Sequence, residues 1–283
     1  NCIAIMFQDL KGKTVVVTGS GREKGIGKAV LIAFAKAGCN VVVSDIGTQK
    51  GDQFNSDHVG LTDEMESIVS EAKNLGVDAF AVPCDVRIEQ EVQSLIETTF
   101  DRFGGIDVLV NNAGVGYIME PLVEFKSESW DAVIDVNLKG VFLATKHAAI
   151  KMIDKGAGGS IINIASQAAK SGFPFAAAYT ASKHGVVGLT RSNAVELGQH
   201  KIRVNSVCPN HITTGLGHWQ NQFFSEKLGQ NYDDYLQAIR DRVPLGRVGM
   251  VEDIAKACLF LASNQSEYIT GEALNVSGGE EMH

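Results

Sequence analysis

The chain has 283 residues, of which 45% are hydrophobic and 20% charged, the balance of an ordinary globular protein with enough length for a full core. Its 25 basic residues face 33 acidic ones for a formal net charge of −8, with no basic cluster, which argues against a nucleic-acid or anionic-membrane surface. No apolar run approaches the roughly 18 residues of a membrane span.

The opening NCIAIMFQDLKGK has no basic n-region and only a short apolar patch, so it does not read as a signal peptide. A first strand over 14–18 (TVVVT) runs into TGSGREKGIG at 18–27 and then a helix over 25–37. Strand, glycine-rich turn and helix form the layout that receives a dinucleotide diphosphate, whose charge the helix N–H groups and dipole would bind. Gly19 and Gly21 would shape the turn, while Gly25-Ile26-Gly27 would open the helix. The charged Arg22-Glu23-Lys24 reads as an outward bulge with Arg22 and Glu23 in solvent. Lys24 is either a solvated charge or a second diphosphate contact.

A second strand over 41–44 ends in Ser44-Asp45, 26 residues after Gly19 against a usual spacing of about 20. A carboxylate there can accept bonds from the ribose hydroxyls and would repel a 2′-phosphate, so Asp45 favours NAD over NADP. An unusually long connection over 46–61 follows. Asp63 and Glu66 read as a capping box for a helix over 63–75. The third strand, 78–82, leads to Cys84-Asp85-Val86, where Asp85 could meet the adenine amino group. After a helix over 89–103 and a strand over 107–110 comes Asn111-Asn112-Ala113-Gly114, whose small residues would let the backbone run beside the cofactor. Gly38, Gly76 and Gly104 stand where helices want a left-handed terminal residue.

The catalytic candidates lie beyond. Asn137 is a polar residue inside an apolar helix pattern over 127–152, suited to hold a water in a proton relay. Ser166 follows a strand over 160–165. Tyr179 and Lys183, in a helix over 177–197, are four apart and share a face. A nearby ammonium would stabilise phenolate and lower the tyrosine pKa from about 10, making it a usable acid or base. A strand over 202–207, a long segment over 213–243, a helix over 251–261 and a strand over 273–276 close the chain. Alternating short apolar strands and helices predict an α/β fold, one doubly wound, Rossmann-like parallel sheet of about seven strands with helices on both faces. No linker divides it, so one domain over 1–283 is expected, with a substrate loop at about 213–243.

The five cysteines are scattered and form no C-x-x-C, and the seven histidines show no ligand spacing. We therefore expect reduced core cysteines, a cytoplasmic protein and no metal.

In combination these residues resemble the short-chain dehydrogenase/reductase family, in its compact single-domain branch. The likeness spans essentially the whole chain and continues through Pro209, Ile212 and Thr214, PLGR at 244–247 and TG…VSGG at 270–279. It implies Tyr179 as general acid/base, Lys183 on the nicotinamide ribose, Ser166 orienting the substrate oxygen and Asn137 holding the relay water. It also implies nicotinamide-end contacts by Ile212 and Thr214, and a homotetramer or homodimer built on the helices over 127–152 and 177–197.

The chain departs from the family in three places. Five residues, not three, separate Gly19 from Gly25. Asn210 replaces the glycine of Pro-Gly, and Asn tolerates left-handed backbone well enough to keep that turn. The 46–61 segment is longer than the branch normally carries. It resembles in position an insertion of relatives that retain NAD tightly.

Lys24 stands where NADP-using relatives often place a base, and so opposes Asp45; we take Asp45 as decisive. The reading is an NAD-dependent oxidoreductase interconverting a secondary alcohol and a ketone. Phe173, Phe175, Trp219, Phe223 and Phe224 would suit a cyclic, steroid-like or terpenoid substrate, whereas His211, His218, Gln167 and Gln220 would equally suit a polyol. An NADPH-dependent 3-oxoacyl carrier-protein reductase is a further alternative. Such relatives usually continue NNAG with I-T-R-D, where this chain has Val115-Gly116-Tyr117-Ile118. A non-catalytic dinucleotide-binding scaffold would not need Asn137, Ser166, Tyr179 and Lys183 together.

Overall fold

In the computed structural model, which describes residues 2–50 and 59–283, the Val/Ile runs line up as one parallel sheet. Its strands are β1 (Thr14–Thr18), β2 (Asn40–Asp45), β3 (Ala79–Pro83), β4 (Val108–Asn111), β5 (Gly159–Ile164), β6 (Ile202–Pro209) and β7 (Ala273–Val276). The spatial order is β3-β2-β1-β4-β5-β6-β7. Chain direction across the sheet reverses at β1, where Val16 pairs with Val42 on one side and Leu109 on the other. A crevice opens at this switch point beyond the carboxyl ends of the strands.

Side chains alternate between faces along each strand, and the cores follow that period. Val15 and Val17 pack with α2 (Ile26–Lys36), α3 (Thr62–Asn74) and α10 (Val251–Ala262). Val16 packs on the opposite face with α4 (Glu89–Phe103), α6 (Gly140–Lys155) and α7 (Ala177–Leu197). Cys39, Cys84, Cys208 and Cys258 are buried and unbridged. Among the described residues no helix is long and apolar enough to cross a membrane.

Several expectations change. The helix expected over 127–152 is α5 (Ser127–Ile134), a π-helical turn over Asp135–Lys139, and α6, which runs on to Lys155. Asn137 lies in that turn, fully buried, and its side chain holds the loop after β4 in place of the regular helix ladder. The Asp63/Glu66 capping box does not form: α3 starts one residue earlier, and Thr62 Oγ1 instead donates to Gly47 O at 3.0 Å. The segment over 213–243 is largely helical, with α8 (Gly215–Lys227) and α9 (Tyr232–Arg242). Thr214 and Asn231 cap them by accepting from Gly217 N and Asp233 N. A further short helix, α1 (Cys2–Met6), precedes β1. Most of the long connection over 46–61 lies outside the described residues. Its described ends close on each other, with Gly47 N donating to Gly60 O and Thr62 N to Gly47 O, both at 3.0 Å.

Candidate active site

The first strand delivers Thr18-Gly19 to the crevice floor. Gly19 is left-handed (φ 64°), and a Cβ on it would lie 2.6 Å from Ala113 Cα, so only glycine lets the first turn and the end of β4 meet. Thr18 Oγ1 accepts from Asn112 N (3.1 Å) and Ala113 N (3.2 Å), and Asn112 Nδ2 donates to Thr18 O (3.0 Å) and Gly19 O (2.8 Å). Asn112 is thus a staple between the two strand ends, while Ala113 and Gly114 line the open side.

A cleft of about 520 Å³ runs from this turn to α8 and α9, within the size range of small-molecule sites. Gly19, Gly25 and Ile26 line it, whereas Gly21 and Gly27 are buried beneath the turn. Asp45 lines its far end and is already well bonded. Its Oδ2 accepts from Gly21 N (3.0 Å), and its Oδ1 from Ile46 N (2.8 Å) and Gly60 N (3.0 Å). Burial nevertheless raises its pKa above the ordinary carboxylate value.

Asp85 and Val86 also line the cleft. Arg87 grips the Asp85 carboxylate as a fork, Nε to Oδ1 at 2.9 Å and Nη2 to Oδ2 at 2.6 Å, with Lys50 Nζ at 3.5 Å. Burial works against this charge, but the Arg87 bonds outweigh it and hold the carboxyl below its usual range. Arg87 was not among the sequence candidates; its signal is the D-x-R spacing.

At the cleft's other end, Ser166, Tyr179 and Lys183 come together. Ser166 lies close enough to Tyr179 to lower its pKa, and its Oγ accepts from Ala168 N at 3.1 Å, which fixes its rotamer. Lys183 is 5% exposed; its Nζ donates to Ile164 O at 2.8 Å and sits 5.7 Å from the centroid of the Tyr179 ring. Burial brings Lys183 down to about 8. Burial also raises Tyr179, with only the Ser166 bond opposing it, so the expected lowering by Lys183 is not what this geometry gives.

Asn137 lies behind them. Its Oδ1 accepts from Val115 N (2.8 Å), and its Nδ2 donates to Val115 O (2.9 Å) and Ser182 Oγ (3.1 Å). Gly114 marks how closely the groups converge: a Cβ there would be 3.3 Å from Asn137 Oδ1 and 3.6 Å from Lys183 Nζ. The glycine cradle and an uncompensated buried ammonium together fit an anionic, ribose-bearing cofactor.

Ile212 and Thr214 line the cleft near its lid. The left-handed residue after Pro209 is His211 (φ 43°), not Asn210. Asn210 is buried, its Nδ2 bonded to Glu280 Oε2, and Gly249 N donates to His211 O at 3.0 Å, which moves the turn one residue on.

Of the aromatic candidates, Phe173, Phe175 and Phe224 line the cleft. Trp219 and Phe223 instead stack on each other 5.4 Å apart, outside the lining. Phe175 adopts φ 65°, a strained conformation of the kind found where a side chain must be aimed. His211, Gln167 and Gln220 line the cleft, but His218 turns away to bond Tyr232 Oη at 2.7 Å. Gln220 Nε2 donates to Gly116 O at 2.9 Å, so α8 is closed over the catalytic end.

The insert after Gly21 does not bulge freely. Glu23 N donates to Glu64 Oε1 at 3.1 Å, and the Glu23 carboxylate pairs with Lys28, which also holds Glu71 at 2.8 Å. Glu23 is exposed and off the cleft, Lys24 is exposed but borders it, and Arg22 is half-buried and lines it, contrary to the solvent position expected of Arg22.

The chain is similar to known proteins over nearly its whole length. A family model described as enoyl-(acyl carrier protein) reductase matches residues 19–281. The 3-oxoacyl-[acyl-carrier-protein] reductase FabG of Thermotoga maritima is 37% identical over 270 residues, covering 95% of this chain and 98% of that protein. The (+)-borneol dehydrogenase 2 of Salvia officinalis is 37% identical over 274 residues, 95% and 89% of the two chains. The carveol dehydrogenase of Mycobacterium avium, solved in complex with NAD, superposes with a TM-score of 0.88 at 30% identity, covering 95% and 98%. An NAD+-bound xylitol dehydrogenase gives 0.85 at 29%, covering 95% and 99%. With a family model matched over residues 19–281 and relatives covering nearly the whole chain, this chain belongs to the short-chain dehydrogenase/reductase family, oxidoreductases acting on CH–OH groups.

Proposed function

We propose that the protein is an NAD-dependent oxidoreductase that interconverts a secondary alcohol and a ketone. The observation that carries this reading is the convergence of Ser166, Tyr179 and Lys183 at one end of a cleft whose other end is a glycine cradle and Asp45. A bound nicotinamide dinucleotide supplies the hydride acceptor or donor.

Tyr179 Oη takes the alcohol proton during oxidation and returns it during reduction. Ser166, rigidly held by Ala168 N, donates to the same substrate oxygen and fixes its position. Lys183 would bind the ribose hydroxyls, and Ser166 is the group that opposes the burial holding the Tyr179 phenol up. Asn137, fixed by Val115 and Ser182, stands behind Lys183 as the relay residue from which a water would carry that proton outward. Gly19, Gly25 and Ile26 would cradle the diphosphate, with Gly21 and Gly27 completing the turn beneath it. Asp45 would face the adenosine ribose, Asp85 and Val86 the adenine, and Asn112, Ala113 and Gly114 the cofactor's flank. Ile212 and Thr214 would hold the nicotinamide end. The charge of Asp45 supports NAD over NADP, and higher kcat/KM with NADP would overturn that preference.

Phe173, Phe175 and Phe224 support a cyclic, terpenoid or steroid-like substrate, in keeping with the borneol and carveol dehydrogenases among the relatives. The lining His211, Gln167 and Gln220 favour a second reading, a polyol. We also propose one domain over 1–283 and a homotetramer or homodimer. The buried, unbridged cysteines support a reducing, cytoplasmic setting.

A panel of terpenoid alcohols, steroids and sugar alcohols with NAD, read by nicotinamide absorbance, tests the substrate. Tyr179→Phe should cut turnover by about a hundredfold or more while NADH binding stays measurable. Unaltered turnover would refute the proton-transfer role.

A further inference from the structure

The two extra residues of the glycine turn have a structural purpose that the fold alone does not require. Arg22 O accepts from Gly25 N at 3.1 Å, so Arg22 starts at the mouth of α2. Its guanidinium ends at the mouth of α8: a Cβ on Gly215 would lie 3.2 Å from Arg22 Nη2. The side chain therefore crosses the cleft between two helix N-termini, along the wall it lines. The next residue, Glu23, is held by Lys28 and the first turn of α3 and does not line the cleft, whereas Arg22 does.

The guanidinium has a charge but no ion-pair partner among the described residues. Asp45 and Tyr117 feel its field without pairing with it. Near two partly positive helix ends, with the Asp45 carboxylate attracting it but not paired to it, this half-buried cation is placed to receive a further anion. The anion that fits has paired oxygens for a planar fork and lies between α2 and α8.

We infer that Arg22 is a diphosphate-binding residue of the cofactor cleft, bridging the phosphate oxygens to the first turn of the lid helix α8. The inference rests on the dinucleotide reading above and extends it to a residue that the glycine motif does not include. Arg22 holds the diphosphate from the side opposite the α2 N-terminus and draws α8 down over it. Lid closure and cofactor retention are then coupled through one side chain.

The test is binding, not turnover. Dissociation constants for NADH, NADPH, ADP-ribose and adenosine are measured by calorimetry on the wild type, Arg22→Gln and Arg22→Lys. Arg22→Gln keeps most of the stem, so folding is preserved, and thermal unfolding of the ligand-free proteins checks that. Loss of a charge-assisted bond predicts NADH and ADP-ribose weakened by about tenfold to a hundredfold in Arg22→Gln, with adenosine within about twofold. Arg22→Lys should recover part of the loss. Equal NADH affinity in wild type and Arg22→Gln overturns the inference alone. A loss confined to NADPH also overturns it, because the contact would then be to a 2′-phosphate. A wild type that binds neither dinucleotide overturns the function itself.

Discussion

Lys183 holds its ammonium where water scarcely reaches, and that makes it a stability liability beside the catalytic role proposed for it. Its folded pKa of about 8 lies below the ordinary value of 10.5, so at neutral pH the folded state pays for a charge that the unfolded chain solvates freely. Between those two values the unfolded state binds more protons, and stability rises with pH. Relative to Lys183→Met, the wild type should therefore gain about 3 kcal/mol between about pH 7 and about pH 10.5, read by urea unfolding. A difference that stays constant with pH would mean Lys183 titrates normally. That Ser166, Tyr179 and Lys183 share one cleft could be read from the sequence, because helical spacing and a strand end bring them together. Which way Arg22 points could not, because the turn that carries it is anchored by a tertiary contact, Glu23 N to Glu64 Oε1. The electrostatics of Tyr179 escaped for a related reason: helical spacing puts Lys183 on its face but says nothing of burial.

At the scale of elements, the ends of the 46–61 connection are sewn to the cofactor turn through Gly60. A Cβ there would fall 2.6 Å from Gly21 Cα and 2.8 Å from Asp45 Cγ, both rigidly held. Gly60→Ala should force the loops apart, break the Gly60 N to Asp45 bond and weaken NADH binding by about tenfold, with a smaller change in the catalytic rate at saturation. Unchanged NADH affinity would show that the seam yields without disturbing Asp45. Most elements were legible because apolar runs and glycine stops coincide. The segment over 213–243 was not, since its helices bury little: Ile239 is the one fully buried apolar residue of α9. The signal lay in the caps Thr214 and Asn231, which look like loop residues until their N–H partners are known. The π-helical turn at Asn137 was equally hidden, because its side chain bonds Val115 in the loop after β4, a partner 22 residues away.

At the scale of the molecule, α5 and α6 expose an apolar stripe: Trp130, Phe142, Ile150 and Ile153. Phe142 is 46% exposed on a face of α6 that recurs at Ile150 and Ile153. If the proposed oligomer uses this face, Phe142→Asp should yield a smaller species in analytical ultracentrifugation while the cofactor site stays intact; an unchanged sedimentation coefficient would place the contact elsewhere. The parallel sheet itself was foreseeable from repeated βα units, but its order came from crossovers whose handedness no single segment encodes.

That order bears on how the chain is made. β1 emerges early yet sits in mid-sheet, and the bond from Thr14 N to Asp107 Oδ2 joins residues 93 apart. Until β4 is synthesised, β1 presents a bare, valine-rich edge on that side, the kind of surface that recruits other strands. The glycine turn that opens the cofactor cleft is thus among the first features translated, but it waits for Asn112 to give it a shape. A nascent or truncated chain that stops before β4 should be sticky and unable to hold a dinucleotide.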